Sequence, residues 1–158
     1  MENAIKPFRL KRERHYHYFY IVLFFILPWI IFGLGYDLTQ IVLAPGDASI
    51  AGYPVRTVLK DYSFWSPYNV GGVYSAMKGS THAVYLPALL IMNILPSVLG
   101  YNTLLLVHYS CAGLFTYLFL NAIRIDKTSS FFGGLVFMFS GFLSAHLGHI
   151  NMVCAAVY

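Results

Sequence analysis

The sequence predicts an all-α integral membrane protein with about three transmembrane helices, and three observations support this. The chain has no Asp, Glu, Lys or Arg for 45 residues between Lys78 and Arg124, and none after Lys127. Hydrophobic residues make up 58% of the 158 residues and charged residues 10%, against roughly 25% charged in soluble domains. Half of the ten Lys and Arg residues lie in the first 14 positions. Because about 20 apolar residues in a helix cross the hydrocarbon core, such runs predict membrane spans.

The basic N-terminal segment and the apolar run that follows it predict the first span and its orientation. Residues 1–15 form a basic tail, and residues 16–36 form transmembrane helix 1. The positive-inside rule places the N-terminus in the cytoplasm of a multi-pass cell-membrane protein. A signal peptide is the competing interpretation, because Gly33-Leu34-Gly35 resembles a small-residue cleavage site. Under both interpretations the chain from residue 36 onward is exported.

Residues 83–99 predict a re-entrant or interfacial helix. As a helix these 17 residues reach only about 25 Å, and they include Pro87 and Pro96. If this segment does not span, seven basic residues lie inside and three outside; if it spans, the division is five and five. The positive-inside rule favours the first arrangement, with transmembrane helix 2 at 100–120, a cytoplasmic loop at 121–130 and transmembrane helix 3 at 131–148. Residues 149–158 then begin a further outer or membrane segment, and their apolar character suggests the front part of a longer protein.

The long outer loop at 37–82 is expected to carry function. Connections of this length are functional or disordered, and its many aromatic residues favour an ordered loop with short helices at the membrane interface. Asp47 is the main candidate, because a carboxylate beside apolar surface can bind a cation or act on a hydroxyl. Asp47 also precedes Ala48-Ser49-Ile50, a spacing that suits a helix N-cap and on its own favours that structural role.

Two histidines follow the third predicted span. His146 and His149 are three residues apart, so on a helix they share one face at the outer side of the membrane. They can bind a metal with ligands from elsewhere, or remain neutral and bond to the outer loop or to a substrate phosphate. Gly133, Gly134 and Gly141 are expected to permit close contact between helices.

Several short motifs occur in order along residues 16–158: Gly46-Asp47 with Tyr53-Pro54, Trp65-Ser66-Pro67-Tyr68 with Gly71-Gly72, Tyr85-Leu86-Pro87, Phe139-Ser140-Gly141-Phe142, and Ala145-His146-Leu147-Gly148-His149-Ile150-Asn151. Taken together they resemble the front end of the bacterial YfhO-type membrane proteins, a family placed with the GT-C class of membrane glycosyltransferases. The resemblance implies the front part of a GT-C-like polytopic fold.

The resemblance also implies an activity and roles for individual residues. The expected enzyme takes a sugar from a polyprenyl-phosphate donor in the lipid bilayer and transfers it to a cell-envelope glycopolymer at the outer face. Asp47 then lies at the catalytic centre, as a base or as the ligand of a divalent cation, the one cofactor expected. Arg56, Lys60, His146 and His149 then bind the donor phosphate. One Asp stands where a paired acidic signature would indicate a metal, which leaves metal dependence open.

Two other functions compete with the glycosyltransferase. A transporter or flippase-like protein also fits, since a proline-broken half-span beside intramembrane histidines resembles the discontinuous helices of transport sites. A non-catalytic membrane scaffold is the third. Nucleic acid is not an expected partner, because the basic cluster is explained by membrane orientation.

Overall fold

The structure, a computed structural model, describes residues 2–43, 65–66, 73–74 and 85–157, and the side chains of residues 16–43 and 85–157. This part of the chain forms the helices α1 (Glu2–Gly33), α2 (Leu86–Ile94), α3 (Ser97–Ala122), α4 (Lys127–Met138), α5 (Gly141–Ala145) and α6 (Ile150–Ala155). A two-residue strand β1 (Trp65–Ser66) pairs antiparallel with β2 (Val73–Tyr74).

The predicted membrane character of the chain is confirmed in the described ranges. Three helical stretches are long and apolar enough to cross a membrane: Tyr16–Gly33, Ser97–Ala122 and Lys127–Ala145. These bounds differ by a few residues from the predicted spans 16–36, 100–120 and 131–148, and there are two larger differences. The backbone of the basic tail continues α1 without a break, and the third stretch is interrupted at Phe139 and Ser140, where α4 ends and α5 begins.

Prolines explain the break between α2 and α3. Leu95 has φ −102° and ψ 154°, the extended conformation that a following proline favours. Pro96 then precedes Ser97 as the N-cap residue of α3. At the other end of α2, Pro87 lies in the first turn, where its missing N–H costs nothing. The predicted segment 83–99 is therefore a nine-residue helix followed by the first turn of a long one.

Helices α1, α3 and α4 pack side by side, and aromatic contacts define their directions. The ring of Phe32 faces Tyr109, and Phe24 faces Tyr117, so α1 and α3 are antiparallel. Helix α4 follows α3 after a short turn and packs against it, so α4 is antiparallel to α3 and parallel to α1. In agreement, Tyr20, near the start of the apolar stretch Tyr16–Gly33, stacks on Phe131, near the start of α4, with ring centroids 4.4 Å apart. We call the end of the bundle where α1 ends and α3 begins the Gly33 end, and the opposite end the Lys127 end.

Two glycines allow the three helices to approach closely. A Cβ atom on Gly134 would lie 2.6 Å from the Gly113 carbonyl oxygen and 2.6 Å from Cζ of Phe24. A Cβ atom on Gly113 would lie 2.8 Å from Cδ1 of Phe24 and 3.0 Å from Sδ of Met138. Close helix contact at Gly134 is therefore confirmed. At Gly141, which begins a new helix at the break, no atom of the described residues lies within 4 Å of that position, so this part of the chain forms no close helix contact there.

Polar side chains within the spans bond to their own helices. Lipid offers no hydrogen-bond partners, so a hydroxyl or amide there gains by bonding to the carbonyl four residues earlier. Four side chains of the second span do so at 2.6–2.9 Å, namely His108 to Leu104, Ser110 to Leu106, Thr116 to Ala112 and Asn121 to Tyr117.

A four-residue turn connects α3 to α4. The N–H of Ile125 donates to the Leu120 carbonyl and that of Arg124 to the Asn121 carbonyl, the paired bonds of a Schellman motif. Arg124 occupies the position that usually holds glycine, with φ 68°. Asp126 caps α4 by accepting the N–H groups of Thr128 and Ser129. Its hydrogen bonds from Ser129 hold the pKa of the Asp126 carboxyl below its ordinary value.

Candidate functional site

The chain that leaves α1 at the Gly33 end is fixed to α3 by one buried asparagine. The Asn102 side chain is fully buried, and its amide donates to the carbonyls of Leu38 and Ile41, each at 2.8 Å. Its Oδ1 accepts the N–H of Leu43 at 2.9 Å. All three bonds bridge residues about 60 positions apart, and they hold the first residues after α1 against the second span.

Asp37 shapes the same segment from within. Its carboxylate accepts the Thr39 hydroxyl at 2.6 Å and the Thr39 N–H at 2.9 Å, which forms a tight turn directly after α1. These bonds, the hydroxyl first, hold the pKa of the exposed Asp37 carboxyl below its ordinary value. Asp37 is thus a structural residue at the end of the first span.

The main predicted site residues lie beyond this anchored segment. Asp47, Arg56 and Lys60 lie outside the described residues, as does most of the loop in which short interfacial helices are predicted. The catalytic, cation-binding and phosphate-binding roles assigned to them therefore stay predictions. The described chain reaches Leu43, four residues before Asp47, and Asn102 fixes it there.

His146 and His149 lie side by side, but not on one helix as the spacing suggested. Helix α5 ends at Ala145, His146 follows it, and His149 is the N-cap residue of α6. Their ring centroids are nevertheless 5.7 Å apart in an edge-to-face arrangement. The turn between the two short helices, in which the His149 N–H donates to the His146 carbonyl at 2.8 Å, brings the rings together.

The two rings differ in exposure and in bonding. Nδ1–H of His146 donates to the Phe142 carbonyl at 2.7 Å, and its ring packs on Phe142 with centroids 4.5 Å apart. With Nδ1 protonated, the neutral His146 ring presents Nε2 as an acceptor. His149 is exposed and does not cap α6 with its side chain. The pair follows α4, which runs toward the Gly33 end, and α6, which begins next to His149, packs against α3.

Sequence reasoning missed a buried polar contact inside the second span. His108 is only 4% exposed, and its Nδ1–H donates to the Leu104 carbonyl at 2.6 Å. Its Nε2 is 2.5 Å from the hydroxyl of Tyr85, which therefore donates the bond. Burying an ionisable residue within a span costs free energy, so such a residue usually has a function or a hydrogen-bond partner. The position of His108 within the predicted second span was therefore the sequence feature that could have indicated this contact.

A second cluster of polar and aromatic side chains lies at the Lys127 end. The Tyr117 hydroxyl is 2.7 Å from Nδ1 of His17, and the Tyr20 hydroxyl is 3.3 Å from Oγ1 of Thr128. Tyr20 also stacks on Phe131. Tyrosines are suited to the membrane interface, because the ring is apolar and the hydroxyl is polar. These contacts connect all three spans at this end of the bundle.

The described side chains do not form a metal site. No group of three His, Cys, Asp or Glu residues comes close enough to hold an ion within the described ranges. His146 and His149 alone supply two ligands, and zinc sites in proteins take three or four. The predicted cation at Asp47 depends on residues outside those ranges.

The fold and its internal polar contacts define a class. Three apolar helices form one bundle, and Ser110 and Thr116 of the second span donate hydrogen bonds to carbonyls of their own helix. These features make this a helical membrane-embedded protein. Comparison with known proteins adds no closer assignment, because no family model, curated protein or solved structure matches the chain.

Proposed function

We propose that this chain belongs to a membrane glycosyltransferase that moves a sugar from a polyprenyl-phosphate donor to a cell-envelope polymer, at the outer face of the cytoplasmic membrane. The observation that supports the proposal is the course of the chain. Asn102 anchors the segment that leads to Asp47 at the Gly33 end, and His146 and His149 follow helix α4, which runs toward the same end. The ordered motifs that resemble YfhO-type proteins include all three of these candidate residues.

The chemistry of such a site follows from its residues. A carboxylate at Asp47 accepts the proton of the acceptor hydroxyl as that oxygen attacks the sugar carbon. The polyprenyl phosphate leaves with the negative charge, which hydrogen-bond donors and cations stabilise. Arg56, Lys60 and the two imidazoles supply that stabilisation in this proposal, and a divalent cation held by Asp47 is the alternative way to neutralise the phosphate.

Replacing Asp47 by asparagine tests the catalytic role. We expect Asp47→Asn to abolish sugar transfer while the protein level in the membrane stays near normal, since asparagine keeps the N-capping ability but cannot accept the proton. The measurement is transfer from a panel of undecaprenyl-phosphate sugars to envelope polymer in isolated membranes that contain the full gene product. An active Asp47→Asn protein would contradict the catalytic role and leave Asp47 as a helix cap.

The histidine pair has its own test. If His146 and His149 bind the donor phosphate, His149→Ala should weaken binding of an undecaprenyl-phosphate analogue and leave the yield of folded protein unchanged, because His149 is exposed. His146→Ala should lower both, since its ring packs on Phe142 and bonds to the Phe142 carbonyl. Analogue binding and detergent-extracted yield are measured for each variant. Normal analogue binding by His149→Ala would argue that the pair is structural.

Membrane orientation is a separate part of the proposal, with the Gly33 end outside and the N-terminus in the cytoplasm. We expect cysteines introduced at Ser66 and Ser80 to react with an impermeant thiol reagent from outside intact cells, and one at Ser129 not to react, in a Cys111→Ala, Cys154→Ala background. Labelling at Ser129 alone would reverse the orientation. Labelling at all three positions would mean that residues 83–99 span the membrane.

The transporter is the alternative that a specific observation favours. Helix α2 is a short helix beside an intramembrane histidine, and the third span is interrupted after Met138. Discontinuous helices of this kind form the substrate sites of many transporters. Movement of a polyprenyl-phosphate sugar across reconstituted vesicles without its transfer to an acceptor would support this function over the glycosyltransferase.

A further inference from the structure

Helix α2 runs beside α3 in the opposite direction, and two contacts define their register. A Cβ atom on Gly100 would lie 3.2 Å from Sδ of Met92, so the last part of α2 lies beside the first turn of α3. Tyr85, directly before α2, bonds to His108, which lies 11 residues beyond Ser97. At 1.5 Å per residue, Tyr85 is therefore about 17 Å along α3 from its N-terminus.

This register places the start of α2 deep in the membrane. Helix α3 has 26 residues and is about 39 Å long, so His108 lies close to its middle. The nine residues of α2 extend about 14 Å, roughly half of a 30 Å hydrocarbon core. The helix therefore begins near mid-depth and rises toward the Gly33 end.

The two faces of α2 differ in what they contact. Ala88 and Met92 are buried in the bundle. Leu86, Leu90 and Ile94 are four residues apart and are 64%, 55% and 77% exposed. Asn93, the polar residue within α2, donates its side-chain amide to the Leu89 carbonyl at 2.7 Å. That bond satisfies an amide within its own helix, as lipid surroundings require.

We infer that α2 is a re-entrant half-helix, held at its deep end by the Tyr85–His108 hydrogen bond, and that it presents Leu86, Leu90 and Ile94 to the acyl chains of one leaflet. We assign lipid to this face because of its depth. Leu86, Leu90 and Ile94 lie alongside the spanning part of α3, where acyl chains surround the bundle. The bond has a clear role at that depth. The Tyr85 hydroxyl donates to Nε2 of His108, and Nδ1–H of His108 donates to the Leu104 carbonyl, so both ring nitrogens of the buried His108 have a hydrogen-bond partner, as hydrocarbon surroundings require. The inference holds independently of the proposed enzyme activity.

Spin labels test the depth of α2 directly. Single cysteines replace Leu86, Leu90 and Ile94 in the full chain with Cys111→Ala and Cys154→Ala, reconstituted in phosphatidylcholine nanodiscs. Collision rates with oxygen and with a water-soluble nickel chelate give the depth of each label. We expect position 86 to lie deepest and position 94 shallowest, with a difference approaching the 12 Å or so between them along the helix.

Two results would overturn the lipid-facing half-helix. Equal, shallow depths at all three positions would mean that α2 lies flat at the membrane surface. Low collision rates with both reagents would mean that protein, not lipid, covers the stripe.

The hydrogen bond is tested with Tyr85→Phe, which removes the hydroxyl and keeps the ring. We expect the label at position 86 to move toward the water-accessible reagent, so that the depth difference between positions 86 and 94 is lost. Tyr36→Phe is the matched control, because Tyr36 is exposed beyond the first span. His108→Gln retains an acceptor for Tyr85 and should preserve part of the difference. An unchanged depth at position 86 in Tyr85→Phe would overturn the anchoring role of the bond.

Discussion

Replacing Gly134 by alanine should prevent the three spans from packing at their present distance. The new methyl group would lie 2.6 Å from the carbonyl oxygen of Gly113, a backbone atom that can move only if α3 and α4 separate. It would also meet Phe24 of α1 at 2.6 Å. Overpacking of this kind costs about 1–3 kcal/mol, and we expect the upper part of that range because two helices are displaced at once.

The chain offers two controls for this prediction. Gly141→Ala adds the same methyl group where no atom lies within 4 Å, and it should leave stability nearly unchanged. Gly133→Ala would meet Cδ1 of Leu120 at 2.5 Å, but that is the end of a flexible side chain, so an intermediate loss is expected. Thermal unfolding in detergent micelles ranks the three variants. Equal midpoints for Gly134→Ala and Gly141→Ala would show that the helices do not depend on this close approach.

Replacing Asn102 by alanine should release residues 38–43, which follow α1, from the bundle. The substitution removes three hydrogen bonds at once and leaves two carbonyls and the N–H of the buried Leu43 without their partner. An unsatisfied buried group costs about 1–3 kcal/mol, and of the three only the Leu43 N–H belongs to a buried residue, whereas Ile41 is exposed; we therefore expect a loss of about 1–3 kcal/mol. Amide hydrogen exchange should accelerate in residues 38–43, while exchange in the middle of α3 changes less.

Two further variants separate this role from a general loss of polarity. Asn121→Ala removes one bond that stays within α3, to the Tyr117 carbonyl at 2.7 Å, and should not affect residues 38–43. Asn102→Asp keeps an acceptor for the Leu43 N–H but cannot donate to Leu38 or Ile41 as a carboxylate. In Asn102→Asp, the segment should therefore detach from α3 at Leu38 and Ile41 before it detaches at Leu43. Unchanged exchange in residues 38–43 of Asn102→Ala would contradict the anchoring role.

The spans were predictable because they depend on local composition. The uncharged run after Lys78 and the basic cluster before Tyr16 predict helices through properties of neighbouring residues, and the prolines of residues 83–99 predict a short, interrupted helix in this segment. Asp126 before α4 is an ordinary N-cap signal. These features need no information about distant parts of the chain.

The candidate site was less predictable, because its contacts are long-range or depend on a helix break. Nothing in the sequence shows that Asn102 bonds to residues about 60 positions earlier, or that Tyr85 lies beside His108. The placement of His146 and His149 on one helix was wrong because α5 ends at Ala145, with no proline nearby to indicate it. The rings still meet, since the turn between α5 and α6 brings them together.

The turn around Arg124 has a consequence for how α3 and α4 lie in the membrane. Residues 123–126 can extend over at most about 14 Å, less than half of a hydrocarbon core of about 30 Å. The C-terminus of α3 and the N-terminus of α4 must therefore always be on the same side of the membrane, so that the two helices form a hairpin within it. The left-handed backbone at Arg124 would suit glycine better, by about 1 kcal/mol. Arginine at this position adds a second positive charge close to Lys127 in the short turn. Under the positive-inside rule, these two charges favour one orientation of the hairpin in the membrane.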